Sequence, residues 1–198
     1  MAINVKIIVT DAPPLVTLAA AKSLDYLLYP ELPVVIPDAV FHEATAAMGK
    51  LGAQEIINWY RTHVDMVRIE PTIAFQNETT LLEIGRATGR LPRDLGERAS
   101  LEVIRDKSLF RKNERALLLS DDRDAERLVI IDPSNTILLT TWDFLQQLEA
   151  AKRIQSADAV VELARAAGRA VPKRDLWIGH DPAIRDAVKK ILAKSSIN

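Results

Sequence analysis

The chain has 198 residues, 48% of them hydrophobic and 27% charged, the balance of a folded globular protein rather than a disordered or fibrous one. It contains no cysteine, which excludes disulfides, thiolate metal sites and cysteine nucleophiles, and fits a reducing, cytoplasmic setting. A net charge of −1 gives no overall basic field, so any nucleic-acid partner must be met by a local patch.

In chain order, Ile3, Val5, Ile7, Ile8 and Val9 form a near-continuous apolar run, the pattern of a buried parallel strand. Pro13 to Tyr29 keeps helical spacing and stops at Pro30. Pro33 to Ile36 is the second strand. Asp38 opens a helix expected to reach Met48, with Gly49 just beyond. Ala53 to Arg61 is a third helix, and Val64 to Ile69 a third strand. Helices are expected over Thr72 to Thr88 and from Asp94 to about Phe110. Ala116 to Ser120 and Thr136 to Thr140 are the fourth and fifth strands. Arg127 to Ile131 reads equally as a strand or a helix end.

This alternation predicts an α/β fold, a three-layer α/β/α sandwich around a mostly parallel five-stranded sheet. Beyond about Ala151 the strands stop. Helices from Ser156 to Ala167 and from Pro182 to about Ala193 suggest a helical extension over 154–198, after a domain spanning 1–153, and a partner-binding or dimerisation arm is one use for it. No apolar run approaches the roughly 18 residues of a membrane span, and no secretory signal is visible at the N-terminus.

In a parallel sheet, sites form at the carboxyl ends of the strands. Asp11 ends the first strand, and Asp121 and Asp122 end the fourth. Asp11 also suits the cap of the following helix, with Pro13 in its first turn. Glu43 shares a helix face with Ala39, Val40, Ala46 and Ala47, and a carboxylate in an apolar stripe needs a partner, a cation or a way out to water. Asp94 and Glu97 have the spacing of a capping box, yet Glu97 also shares a face with Leu101 and Ile104. Asp121 and Asp122 also suit a turn or a helix cap. Carboxylates gathered at one edge cannot all stay ionised without a cation, and oxygen-only ligands select Mg²⁺ or Mn²⁺. Such a site activates water and holds phosphodiester oxygens. No dinucleotide fingerprint or Walker loop is present, and His42, His63 and His180 are scattered.

The stretches VTDAPPLVTLA, PVVIPDAVFHEAT, DLGERASLEVI and LLLSDDRDA, in that order, resemble the PIN-domain ribonucleases, especially the toxins of type II toxin–antitoxin pairs. The resemblance spans roughly residues 5–145. It implies a metal-dependent endoribonuclease whose acidic quartet is Asp11, Glu43, Glu97 and Asp122, with Asp121 a close competitor for the fourth place and Asp94 a helper. It further implies that Ser120 orients the metal shell, and that a homodimer and an antitoxin protein are partners. The antitoxin would silence the enzyme by inserting an Arg or Lys among the acids. Pro13 stands where the family often has a small polar residue, which removes one support for Asp11. RNA contact needs local cations, for which Arg86, Arg90, Arg93 and Arg98 are the candidates, although such a cluster also reads as a solvated face. A non-catalytic binding module of the same fold, and an RNA-maturation nuclease, are the competing expectations.

Overall fold

The short apolar runs become five strands: β1 (Asn4–Thr10), β2 (Val34–Pro37), β3 (Val67–Glu70), β4 (Glu114–Leu119) and β5 (Thr136–Leu139). The structure is a computed structural model that describes residues 4–85, 89–106, 108–111, 113–122, 125, 136–173 and 182–193. The sheet is ordered β3-β2-β1-β4-β5 and every pairing is parallel. Strand order therefore reverses between β1 and β4, and the crevice at their carboxyl ends is the switch point where open α/β sheets bind ligands. Beyond the strands the ladder runs on. The Asp11 N–H donates to the Leu119 carbonyl at 2.9 Å and the Ser120 N–H to the Leu139 carbonyl at 3.1 Å. The parallel ladder, with Thr10 paired to Leu119, thus brings residues 11 and 120 side by side.

Eight helices lie among the described residues: α1 (Ala12–Ala20), α2 (Asp38–Thr45), α3 (Ala53–Thr62), α4 (Ile73–Glu83), α5 (Leu95–Arg105), α6 (Thr141–Ala150), α7 (Ala157–Ala166) and α8 (Pro182–Leu192). Alternation along the strands sorts the core into two faces. Ile8, Val34, Ile36, Leu117, Ile137 and Leu139 pack with Leu15 and Leu18 of α1, Phe144 of α6, Val161 of α7 and Leu192 of α8. On the other face, Ile7, Val9, Val35, Leu118 and Leu138 pack with Val103 and Ile104 of α5. These are the three layers expected. The helical region beyond residue 153 lies on the first of these faces, with Ile154, Ala157, Val160, Val171 and Val188 buried in the same cluster.

Several boundaries differ from expectation. The single helix over 13–29 is two pieces. α1 closes where the Ser23 N–H reaches the Leu18 carbonyl (2.8 Å) and the Lys22 N–H reaches Ala19 (2.9 Å), with Lys22 in the left-handed region at φ 53. Apolar spacing resumes in a 3-10 helix, Leu24–Leu28, so the sequence pattern runs straight through the break. α2 stops at Thr45, short of Met48, so Ala46 and Ala47 are exposed and outside the stripe. α4 ends at Glu83, closed by Gly85 at φ 68 rather than by Gly89. α5 ends at Arg105, because Asp106 turns extended and its Oδ1 accepts from the Ser108 N–H at 2.8 Å. Residues 63–66 are a turn, so β3 begins at Val67 and not at Val64. α6 adds a helix that the apolar pattern does not single out. The ambiguous stretch 127–131 lies outside the described residues. Among them, no helix is long and apolar enough to cross a membrane.

Candidate functional site

Asp11 sits at the end of the central strand and is 8% exposed. Its backbone is extended (φ −87, ψ 169), and Oδ1 accepts from the Ala12 N–H at 2.8 Å, so the residue caps α1. The cap uses one oxygen. The other, Oδ2, accepts from Ser120 Oγ at 3.0 Å. Ser120 Oγ in turn accepts from the Asp122 N–H at 3.2 Å. The hydroxyl thus ties the turn after β4 to the acid after β1, and it supplies the support that Pro13 cannot. Burial holds the Asp11 carboxyl above its ordinary value. The bonds from Ala12 and Ser120 pull it down, and the charges of Asp122 and Asp121 push it up again.

Glu43 approaches from α2. Its helix buries Ala39, Val40 and Ala44, while Glu43 itself keeps one side open to solvent. Meeting it from the opposite layer is the first turn of α5, which comes in close at Gly96. A Cβ placed on Gly96 would stand 3.3 Å from Glu43 Oε2, 3.5 Å from Val40 Cγ2 and 3.6 Å from Asp11 Oδ1. One point beside the Gly96 backbone is therefore in contact range of both carboxylates, and only a residue without a side chain leaves it open. Burial raises the Glu43 carboxyl, the Asp11 charge raises it further, and Lys50 opposes both.

Glu97, also in the first turn of α5, lines a small cavity with Asp11, Ser100, Leu118, Ser120 and Ala125. That cavity has room for about one water molecule or ion. Ser100 is 2% exposed, and its Oγ has no hydrogen-bond partner among the described residues. A buried hydroxyl left in this way is destabilising unless something in the cavity bonds to it.

The pair after β4 divides its labour. Asp121 turns toward α6, where Oδ1 accepts from the Thr141 N–H at 2.8 Å and Oδ2 from Thr141 Oγ1 at 2.9 Å. Asp122 is exposed and follows Ser120 toward Asp11. Asp94 stands at the N-cap position of α5, exposed, and its side chain makes no capping bond; the capping box suggested by its spacing to Glu97 does not form. Asp11 is therefore the hub: it meets Glu43 across Gly96, Glu97 across the small cavity, and Asp122 through Ser120. These are successive approaches, and among the described residues no three carboxylate or imidazole groups form a ready metal-holding set.

The basic candidates separate. Arg86 lies outside the described residues. Arg98 forms an ion pair with Glu78 of α4 at 2.9 Å and so fastens α5 to α4. Arg90 and Arg93 line a cleft of about 680 Å³ together with His42, Glu43, Lys50 and Gly96. Sequence reading missed Gly96, Ser100 and Lys50. Lys50 donates from Nζ to the Glu43 carbonyl at 2.8 Å, and it stands next to the Gly49 that reads only as a helix stop. Comparison with protein-family models, curated proteins and solved structures found no match.

Proposed function

We propose that the protein is a metal-dependent endoribonuclease of PIN type, hydrolysing RNA phosphodiester bonds at the edge where Glu43, Glu97 and Asp122 each approach Asp11. The observation that carries this reading is Asp11: buried, raised by burial and by neighbouring acids, and placed at the switch point of the sheet with Glu43 opposite it across Gly96. The donors suit a hard cation in kind: they are all oxygen, both Asp11 and Glu43 are held above their ordinary values by an environment that a positive charge would relieve, and the Ser100 hydroxyl, without a partner among the described residues, faces the cavity shared by Asp11 and Glu97. Asp11, Glu43, Glu97 and Asp122 would hold it, with Asp121 and Asp94 at the periphery.

When bound, Mg²⁺ or Mn²⁺ supplies Lewis acidity toward water and toward the phosphodiester. The chain's own residues do the rest. Ser120 fixes the rotation of the Asp11 carboxylate, leaving the Oδ1 side turned to Gly96 and Glu43. Gly96 keeps the space between the acids clear. Arg90 and Arg93, with Lys50, lower the repulsion an RNA phosphate meets on approaching them. The test is RNA cleavage by the wild type and by Asp11→Asn, each with and without EDTA. The proposal requires EDTA-sensitive cleavage by the wild type alone, and equal cleavage by both proteins would remove the site.

A toxin role, with silencing by an antitoxin protein, is the narrower form of the proposal and rests on the family resemblance. Growth arrest on expression, relieved by a small protein encoded next to it, distinguishes a toxin from an RNA-maturation nuclease. The competing reading, a non-catalytic binding module, draws on the capping bond from Ala12 to Asp11, and the same EDTA experiment decides it.

A further inference from the structure

Glu43 and Lys50 form a wall shared by two clefts. On one side is the wide cleft with Arg90 and Arg93. On the other is a cleft of about 300 Å³ between the first turn of α1, the chain after α2, and the segment that follows α7, lined by Pro13, Val16, Lys50, Leu51, Gly168 and Arg169. The cation on that far side comes from the region beyond residue 153, whose contribution to a site the sequence does not reveal.

Local structure delivers Arg169 there. Gly168 takes φ 91. Its N–H donates to the Arg165 carbonyl and the Arg169 N–H to the Ala164 carbonyl, both at 2.9 Å. This closure ends α7 and turns the chain back toward α1. Two residues on, Val171 is buried in the core, and Lys173 pairs with Asp158 and lies over the Trp142 ring. Arg169 is held between these anchors. Its Nε donates to Thr17 Oγ1 at 3.2 Å and its Nη2 to the Pro13 carbonyl at 3.4 Å. Those bonds use two of the five N–H donors of a guanidinium and hold its plane at the mouth of the cleft. Pro13 follows Asp11 by two positions, so the guanidinium is fixed beside the start of the helix that Asp11 caps.

We propose that Arg169 and Lys50 form a phosphate-binding track on the far side of Glu43, so that a single RNA strand crosses the acids with a cation on each flank. This deepens the nuclease reading and rests on it. It assigns to the segment after α7 a direct part in holding substrate. Single-strand phosphates flanking the reacting one need neutralisation, and a fixed guanidinium gives it with geometry that a lysine lacks.

The experiment measures binding apart from cleavage. Fluorescence anisotropy of a labelled single-stranded RNA is followed over a range of salt on an Asp11→Asn background. Arg169→Gln is expected to weaken binding on the order of fivefold to tenfold, and to reduce the slope of log affinity against log salt by about 0.7, the value for one phosphate contact on a single strand. Lys50→Met, at an exposed position, is expected to do the same without touching the contacts of α7, and Arg169→Lys to retain the slope but not the full affinity. Unchanged affinity and slope in Arg169→Gln and Lys50→Met, with RNA cleavage intact in the chain carrying Asp11, would overturn the track and leave the nuclease standing. Absence of RNA binding and of cleavage in the parent protein would overturn both.

Discussion

Replacing Gly96 by alanine separates the site from the fold. Alanine is the better helix former by about 1 kcal/mol in a helix interior and by less in the first turn, where residue 96 lies. Its methyl would meet Val40 Cγ2 at 3.5 Å and Asp11 Oδ1 at 3.6 Å, both ordinary contacts, and Glu43 Oε2 at 3.3 Å, which is tight by a few tenths of an ångström. Glu43 is open to solvent on one side, so its carboxylate can give way at little cost. Stability is therefore expected to stay level or rise by up to about 1 kcal/mol, which for a chain of this size raises Tm by roughly 2–4 °C. Function moves the other way. The methyl would press on Glu43 Oε2 and push aside a carboxylate that would share a cation with Asp11, and Mg²⁺ tolerates little departure from its octahedral geometry. A loss on the order of 10- to 100-fold in metal affinity and in cleavage is expected, the range seen when the support of a metal ligand is disturbed. The assays are thermal melting with and without Mn²⁺ and cleavage of single-stranded RNA. Bound metal at about 100 times its Kd stabilises by about 2.7 kcal/mol, so the wild type should show a clear Mn²⁺ shift and Gly96→Ala a much smaller one from an equal or higher starting Tm. An unchanged Mn²⁺ shift together with unchanged cleavage would refute the reasoning, as would a variant that no longer folds.

Asp11 and Glu43 are both held above their ordinary carboxylate values, so between the unfolded and folded values the native state binds more protons than the unfolded one. Stability must then fall as pH rises through that window, while cleavage, which needs the ionised acids, must rise; urea unfolding and initial rates across the acidic range measure the two slopes, and Asp11→Asn should flatten the first, gain stability at neutral pH and lose cleavage. Asp121→Ala removes both bonds to Thr141 and should lower stability by about 1–2 kcal/mol. Asp122→Ala should leave the melting curve in place and cut cleavage more deeply, and the reverse ranking would make Asp121 the fourth acid. Ser100→Ala removes a buried hydroxyl without a partner among the described residues, so stability should change by less than about 1 kcal/mol in either direction, with a several-fold fall in cleavage; a large loss of stability with full cleavage would make Ser100 purely structural.

Much of the fold was legible because a parallel sheet writes itself into the sequence as short apolar runs. IIV, VVI, ALLL and TILL are all strands, and the acids that follow the first and fourth had to lie at strand ends. The placement of Asp11 and of Ser120 at strand ends was readable for that reason, since the ladder sets it and sequence pattern captures the ladder; a role for Ser120 came only from the family resemblance. Breaks were harder where composition stays helical across them. LAAAKSLDYLL keeps its apolar spacing through Lys22, although the backbone there is left-handed. Gly96 looks in sequence like a weak spot in a helix, since its role comes from how closely α5 crosses α2 and β1, and no local pattern records a crossing distance. Arg98 had the right charge in the right neighbourhood, yet Glu78, from another helix, takes it. Lys50 and Arg169 are far apart in the chain and line one cleft because Gly168 turns the segment after α7 back onto α1.

Mn²⁺ binding read by electron paramagnetic resonance at neutral pH addresses the acidic site without depending on any choice of RNA. Saturable binding of one Mn²⁺ per chain is expected, displaced by Mg²⁺, and lost in Asp11→Asn and in Glu43→Gln while both variants keep the wild-type circular dichroism spectrum. No saturable Mn²⁺ binding by the wild type, or binding that Asp11→Asn leaves unchanged, would contradict it and return Asp11 to the role of a helix cap.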